Sequence, residues 1–260
     1  MIDSHAHYDD EQFDADRDEI IRKAVEAGVT HIINPGCDVE SSQQAIALAK
    51  KHPEVFAAVG VHPHEASSCD EQTLLRLEAL AQEEKVVAIG EIGLDYHYDF
   101  SPREVQKDWF AKQVALAGKL GLPIIIHDRE SHQDVLDIVK AFRSELTTGV
   151  FHCFSGSVEM AKAVLDMGFY IGIGGSLTFK NARKPVEVVR YAPLDRLLIE
   201  TDCPYMAPEP FRGRRNWSGY LKYVVEKIAA IKGMDCLEVE RQTSDNARAL
   251  FGLDRFAGAA

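Results

Sequence analysis

Short apolar segments rich in β-branched residues alternate with amphipathic segments of helical length along the whole chain. Three of them, at 57–61, 86–89 and 123–126, are apolar on both faces, which is typical of buried parallel strands. The predicted strands are 1–5, 30–34, 56–62, 86–91, 123–127, 149–152, 170–174 and 197–202. Eight strands that are each followed by a helical segment predict an α/β fold, the (β/α)8 TIM barrel.

The helical segments complete this pattern. They are predicted at 17–27, 41–51, 72–84, 103–120, 131–142, 158–167, 185–191 and 220–232, with an extra C-terminal helix at 237–251. A doubly wound open sheet shares the alternation, but it should carry a glycine-rich phosphate loop after an early strand, and the sequence has none. Because no linker or repeat interrupts the chain, residues 1–260 are predicted to form one domain.

Charge and composition indicate which kinds of partner and which compartment the protein is suited to. The net charge of −12 argues against binding nucleic acid through a broad basic surface, although bound divalent cations can supply positive charge locally. No apolar stretch approaches the roughly 20 residues of a membrane helix, and no signal segment is recognisable. Five scattered cysteines without a CxxC pair suit a reducing cytoplasm. We therefore expect a cytoplasmic protein with neither a membrane nor an obligate protein partner.

Polar residues with metal-binding side chains stand where the predicted strands end. His5 and His7 follow the first strand at i and i+2, so they share one face, although such a pair alone could equally lie on a solvated edge. The complete set is His5, His7, Glu91, His127, His152 and Asp202. Functional residues of barrels collect at the carboxyl ends of the strands. Mixed nitrogen and oxygen ligands suit Zn²⁺, Mn²⁺ or Fe²⁺, or Mg²⁺ if carboxylates and waters dominate. The residues alone thus predict metal-assisted hydrolysis.

Several motifs extend this set. They are DSHAH at 3–7, GVHPH at 60–64, IGEIGLDYH at 89–97, IIIHDR at 124–129, FHCFSG at 151–156 and IETDCPY at 199–205. With these motifs the chain resembles the TatD family of metal-dependent deoxyribonucleases, within the amidohydrolase-like barrels. The similarity continues through RGRRN at 212–216 and SDNA at 244–247. One departure is that Trp217, Ser218 and Gly219 follow Asn216, where the family commonly has an acidic residue and a proline.

The resemblance implies two divalent metal ions, Zn, Mg or Mn. His5, His7, Glu91 and Asp202 would hold one ion, and the other would be held by Glu91 together with His127 and His152. Glu91 would bridge the two, in the place where many relatives in the wider superfamily carry a modified lysine. Glu91 and Asp202 are the catalytic candidates. Asp202 is assigned as the general base that accepts a proton from the attacking water, while it can also remain a metal ligand.

The implied activity is hydrolysis of phosphodiester bonds in DNA, in the form of a 3′–5′ exonuclease on single strands. The predicted substrate rests on the resemblance, because the same site could polarise a carboxylic ester or amide, as in an aminoacyl-tRNA deacylase. An alternative from another class is a non-catalytic metal-binding scaffold, which the intact ligand set disfavours.

Other residues are predicted to surround the metal ligands. His62 shares the inward face of the third strand and would contact substrate or support a ligand, or else lie on the surface, held by Pro63. Glu200, one layer below Asp202, is expected to orient a metal-bound histidine. Asp95 and His97 could line the cleft or be solvated.

Arginines supply the candidate phosphate contacts. Arg129 follows His127 by two residues, and Arg214 and Arg215 lie in the long loop after the last strand. Guanidinium groups bind phosphate through paired hydrogen bonds, and Trp217 in the same loop could stack on a base. An exposed charged loop with one aromatic anchor accounts for this segment equally well.

Overall fold

The computed structural model describes residues 1–256, so the last four residues of the predicted 1–260 domain lie outside the described residues. Within them, eight strands pair in parallel and in chain order to form one sheet. From β1 to β8 the strands are Ile2–Asp3, His31–Pro35, Val55–Val59, Val86–Asp95, Ile124–Arg129, Gly149–Phe151, Tyr170–Ile173 and Leu197–Ile199. Every predicted strand is confirmed, with ends that differ by a few residues.

Helices follow the strands as the alternation predicted. Between residues 1 and 256 they are α1 to α9: Arg17–Glu26, Val39–Lys51, Glu71–Leu80, Arg103–Leu120, His132–Ala141, Val158–Asp166, Arg183–Tyr191, Leu221–Lys232 and Cys236–Phe251. The extra C-terminal helix is therefore present as α9. Over this same range, no helix has the length and apolar character needed to cross a membrane. All five cysteines are free thiols.

Hydrogen bonds between the first and last strands bring the two edges of the sheet together. The Ser4 amide donates to the Ile199 carbonyl at 3.1 Å. The buried carboxylate of Asp3 accepts from the Thr201 amide at 2.9 Å and from its hydroxyl at 2.6 Å. Ala6 and Cys203 then form an isolated parallel bridge. The sheet is thus a nearly closed TIM barrel, and the open doubly wound alternative is excluded.

Apolar side chains form one core inside the barrel and another between the strands and the helices. The inner core contains Ile2, Ile33, Phe56, Ala58, Val87, Ala88, Ile125, Val150, Tyr170 and Leu198. Helix α9 adds Ala247, Leu250 and Phe251 to this inner core. Because successive strand residues point to opposite faces, the outer core takes the alternate residues, among them Ile124 and Ile126.

Strand β4 departs from this alternation at two points. Val87 and Ala88 are consecutive, yet both belong to the inner core, where the register with β3 shifts. Ile89 and Ile92 both belong to the outer core, although residues three apart on a regular strand face opposite sides. The pairing register between β4 and β5 shifts between these two residues. Glu91, directly before Ile92, consequently turns towards the barrel interior and is 3% exposed. A local irregularity of the strand therefore places this carboxylate in the barrel mouth.

Candidate metal centre

The strand alternation carries polar residues into the barrel mouth above the inner core. His127 lies two residues after Ile125, and His152 lies two residues after Val150. Residues i and i+2 of a strand share a face, so both imidazoles point inward, one layer above their apolar neighbours. His152 is buried and His127 is partly buried.

A first set of four donor atoms comes from the segment after β1, from β4 and from the segment after β8. Nε2 of His5 lies 3.0 Å from Nε2 of His7, 3.3 Å from Oε2 of Glu91 and 3.8 Å from Oδ1 of Asp202. Nε2 of His7 lies 3.7 Å from the same glutamate oxygen and 3.6 Å from the same aspartate oxygen. The Asp202 amide donates to the His5 carbonyl at 2.9 Å, which fixes the two segments relative to each other. Asp202 has φ of 55°, a left-handed conformation that aspartate tolerates better than most residues.

A second set gathers around the other oxygen of Glu91. Oε1 of Glu91 lies 2.8 Å from Nδ1 of His127 and 3.1 Å from Nε2 of His152. The two oxygens of one carboxylate thus face two different groups of ligands. This division is what a carboxylate that bridges two cations requires.

The distances in the first set can be compared with those around a metal ion. A tetrahedral ion with ligands at about 2.0–2.2 Å holds those ligands about 3.3–3.6 Å from one another. The measured separations, 3.0 to 3.8 Å, lie around this range. Imidazole nitrogen and carboxylate oxygen are ligands for Zn²⁺ and Mn²⁺. The residues therefore fit a divalent cation in position and in chemistry.

Burial and the local charges set the protonation of this cluster. Burial lowers the pKa of the His5 and His62 imidazoles. For His127 and His152 burial acts in the same direction, but neighbouring carboxylates outweigh it and raise the pKa of both. Burial would raise the pKa of Glu91, but the surrounding imidazoles reverse this and hold that pKa well below its usual range. Glu91 is thus ionised, and a bound cation would displace protons from its histidine neighbours.

Glu200 lies beneath the ligands, close to His5 and His152. Its carboxylate is buried and accepts a hydrogen bond from the Cys153 amide. Oε1 lies 3.5 Å from Nδ1 of His152, which is long for a hydrogen bond, and among the described residues Nδ1 of His5, Nδ1 of His152 and Oε2 of Glu200 have no hydrogen-bond partner. A Cβ atom at Gly172 would come within 2.4 Å of Oε2, so this glycine leaves room for the carboxylate.

His62 presents one ring nitrogen to the centre. The ring is buried, so the surface position considered from the sequence is wrong. Nδ1 accepts a hydrogen bond from the His64 amide at 3.2 Å, and in a neutral imidazole the other nitrogen then carries the proton. That nitrogen, Nε2, lies 3.7 Å from Oε1 of Glu91. Although it groups with Glu91 and His127 as a potential ligand, a protonated Nε2 is suited to donating a hydrogen bond rather than to binding a cation.

Asp95 is a functional candidate whose position the sequence did not establish. Its carboxylate is fully buried, which excludes the solvated position, and Oδ2 lies 3.2 Å from Nε2 of His127 and 2.9 Å from Nε2 of His64. Burial would raise the pKa of Asp95, but hydrogen bonds from His127, the Tyr98 amide and His64 hold it well below its usual range. Strand β4 runs to Asp95, four residues further than predicted. The apolar run Ile92–Gly93–Leu94 before it was the available signal.

The loop after β8 is held in place by hydrogen bonds and packing to other parts of the protein as well as within itself. Arg215 donates to both oxygens of Asp16, at 2.8 and 2.5 Å, while Arg214 is exposed. Asn216 is buried and donates to the Thr201 and Tyr205 carbonyls at 2.8 and 2.7 Å. Trp217 is partly buried and packs against the outer core.

On the other side of the mouth, Arg129 is exposed at the end of β5, and its guanidinium lies over the Tyr98 ring. His97 is also exposed and lies 2.9 Å from the Glu130 carboxylate, so it is solvated and paired.

Comparisons with known proteins agree with this fold and site. A family model described as TatD related DNase matches residues 2–252. YabD of Bacillus subtilis (strain 168), called an uncharacterized metal-dependent hydrolase, is 46% identical over 254 residues, covering 98% of this chain and 100% of the relative. A protein named 3′-5′ ssDNA/RNA exonuclease TatD, from Erwinia tasmaniensis, is 39% identical over 259 residues, covering 97% of this chain and 100% of the relative.

A solved structure agrees equally well. The crystal structure of YJJV, a TatD homolog from Escherichia coli K12, superposes with a TM-score of 0.92 at 32% identity, covering 97% of this chain and 98% of that one. The matches span nearly the whole chain and confirm the resemblance that the motifs indicated. The chain therefore belongs to the TatD-related DNase family of metal-dependent hydrolases.

Proposed function

We propose that this hydrolase cuts phosphodiester bonds in single-stranded nucleic acid, as a 3′–5′ exonuclease that uses two divalent cations. The observation that carries the proposal is the division of Glu91, whose Oε2 faces His5 and whose Oε1 faces His127 and His152. A relative at 39% identity is named for ssDNA/RNA exonuclease activity, which supports the same substrate class.

The ligands are assigned as two groups that share Glu91. His5, His7 and Asp202 would hold one ion with it, and His127 and His152 the other. When bound, such ions supply positive charge to a phosphoryl group and acidify a water; Zn²⁺, Mg²⁺ and Mn²⁺ are the candidates.

Asp202 is assigned as the general base. Its side chain is 18% exposed, more than those of the ligands His5 and Glu91. It can therefore contact both the ligands around the first ion and an incoming water. A carboxylate in this position can accept the proton that the attacking water loses. Glu200, below it, would keep the His152 ring oriented.

The substrate contacts are assigned to residues around the rim. His62 would donate its Nε2 proton to a phosphoryl oxygen, and Arg129 and Arg214 would contact the backbone phosphates. Arg215 can join them only by leaving Asp16, whose two oxygens it now engages.

The test compares substrate classes on protein that has been freed of metal and then reloaded with Mn²⁺, Mg²⁺ or Zn²⁺. We expect loaded protein to shorten a 5′-labelled single-stranded oligonucleotide stepwise and to release the label of a 3′-labelled one in the first cut, and metal-free protein to leave both intact. The alternative is an ester or amide hydrolase such as an aminoacyl-tRNA deacylase. Release of an acyl group without cleavage of any phosphodiester would overturn the nuclease assignment.

His62→Gln is expected to lower kcat on oligonucleotides by about 10²–10³-fold, the usual effect of losing one donor to a developing negative charge. Metal stoichiometry should be unchanged, because the protonated Nε2 is not assigned as a ligand. His31→Gln, at the opposite end of a strand, is the control and should retain wild-type kcat. Loss of a bound ion in His62→Gln would instead identify His62 as a ligand.

Asp95→Asn is expected to weaken binding of one ion by about 10–100-fold, because a carboxylate behind a ligating histidine orients the ring and raises its basicity. Titration with Mn²⁺, followed by metal analysis, would separate the weakened site from the unaffected one. Asp137→Asn, on the surface of α5, is the control. If wild type and Asp95→Asn bound Mn²⁺ with equal affinity, Asp95 would only hold the loop after β4 and would not support a metal ligand.

The cellular compartment is inferred from the state of the cysteines. Five free cysteines favour a reducing compartment, which suits the cytoplasm. The nucleic acid is the proposed partner, and the function as stated needs no second protein.

A further inference from the structure

Two aromatic side chains stand exposed in the loop after β4, beside the metal centre. Tyr98 is 48% exposed and Phe100 is 68% exposed. Their rings stack with centroids 5.3 Å apart and planes 24° from parallel. Single exposed apolar residues are common on protein surfaces, whereas contiguous ones mark binding sites. We name Tyr98 and Phe100 together the aromatic platform.

The platform is held by the same residues that hold the metal centre. The edge-on ring of His64 contacts both members, with centroids 5.4 Å from Tyr98 and 4.8 Å from Phe100. His64 in turn lies 2.9 Å from Asp95, whose other oxygen accepts from the Tyr98 amide at 2.9 Å. The buried carboxylate that contacts His127 therefore also fixes the platform, so the position of the rings is coupled to that of a proposed metal ligand.

The platform lies within a few nucleotides of the proposed site of cleavage. The ring centroids of His127 and His64 are 6.3 Å apart, and those of His64 and Phe100 are 4.8 Å apart. The Phe100 ring is consequently no more than about 11 Å from the His127 ring, and stacked nucleotides rise by about 3.4 Å each. A base two or three positions from the cut bond can therefore reach the platform.

The positively charged side chain of Arg129 lies beside the two rings. The guanidinium carbon of Arg129 lies 4.7 Å from the centroid of the Tyr98 ring. Across residues 1–256, no carboxylate oxygen forms an ion pair with Arg129, whereas the neighbouring Glu130 is engaged by His97 at 2.9 Å. An exposed arginine beside an aromatic face is the combination by which proteins bind single strands: the rings stack on bases and the cation contacts phosphate.

We propose that Tyr98 and Phe100 stack on unpaired bases of the substrate strand, with Arg129 on the adjoining phosphate. This inference rests on the proposed function and deepens it, because only a strand with free base faces can use such a surface. Every base has an aromatic face, so the contact tolerates any sequence. It also explains how a chain with a net charge of −12 can bind a polyanion without a broad basic surface.

Binding of a labelled oligothymidylate, followed by fluorescence anisotropy, tests the platform directly. The measurement uses the Asp202→Asn background with Mn²⁺ present, so that cleavage is slow enough for binding to be measured. We expect Phe100→Ala and Tyr98→Ala each to raise Kd by about 5–100-fold, the range for loss of one stacked base. Tyr191→Ala is the matched control, since Tyr191 is an aromatic of similar exposure, 47%, on α7. Thermal unfolding of all variants checks that the exposed substitutions leave the fold intact.

Oligonucleotides with one abasic position, moved along the strand, separate stacking from other effects. In the Asp202→Asn protein with an intact platform, we expect one position near the cut end at which the missing base raises Kd by a similar factor. For an oligonucleotide abasic at that position, adding Phe100→Ala should raise Kd no further. Equal Kd in wild type and both platform variants, or equal abasic losses in all of them, would overturn the inference. If wild type cut oligonucleotides while those results held, the inference alone would fail. If loaded wild type cut no oligonucleotide, the proposed function would fail with it.

Discussion

Glu91→Gln is expected to lower kcat/KM on single-stranded oligonucleotides by at least about 10⁴-fold, since groups that act as a unit are lost together. The amide keeps the shape of the side chain but removes its charge and replaces one oxygen by an N–H donor. That donor would point at either His5 or His127, whose ring nitrogens now lie 3.3 and 2.8 Å from the two oxygens. Metal analysis and turnover measured on the same sample would check both consequences.

Thermal unfolding gives a second measurement for Glu91. An ion that binds only the folded state adds about 2.7 kcal/mol to the free energy of unfolding at 100 times its Kd. We expect Mn²⁺ to raise the melting temperature of wild type and to have little effect on Glu91→Gln. Glu104→Gln, an exposed glutamate on α4, is the control and should behave as wild type. A variant that still bound two ions with wild-type affinity would rule out the bridging role.

Asp202→Asn is expected to reduce kcat by about 10²–10⁴-fold, the usual contribution of a positioned general base. KM should change little, because the asparagine oxygen can still face His5 and His7. The expected signature is therefore protein that keeps its metal and binds its substrate but turns it over slowly. Steady-state kinetics together with metal analysis would establish it.

The two roles of Asp202 predict different results. If Asp202 acts only as a ligand, the variant should lose an ion, and excess Mn²⁺ should restore most of the activity. If it is the base, excess metal should restore nothing. Asp195→Asn, on the surface before β8, is the matched control for the charge change.

The barrel was predictable because its signal is local and repeated. Each apolar strand segment stops at a polar residue, and the two-residue alternation that carries Ile125 into the inner core carries His127 into the mouth. The same reasoning places His152 above Val150. Helix α9 was likewise visible, because its amphipathic pattern follows the eighth strand–helix unit. The family motifs agreed with these positions at nearly every strand end.

Other features depend on contacts between distant parts of the chain. Arg215 was predicted to contact phosphate, but it pairs with Asp16, 199 residues away, and no pattern within the loop indicates this. Tyr98 and Phe100 follow β4 in an unremarkable loop, and only the position of His64 shows that they stand beside the metal centre.

For the metal centre, the sequence was sufficient to identify the residue types and the strand ends that contribute them, because strand geometry repeats every two residues. It was not sufficient for the direction of the Glu91 side chain, whose bridging role was implied only by the family resemblance. Val87 and Ala88 both face the inner core, and the register with β5 shifts between Ile89 and Ile92, so counting in twos along β4 gives no single direction for Glu91. Such a shift is set by how β4 pairs with β5 and packs against the helices outside, so it exists only in the folded barrel. With that shift, the two oxygens of Glu91 face two separate groups of histidines.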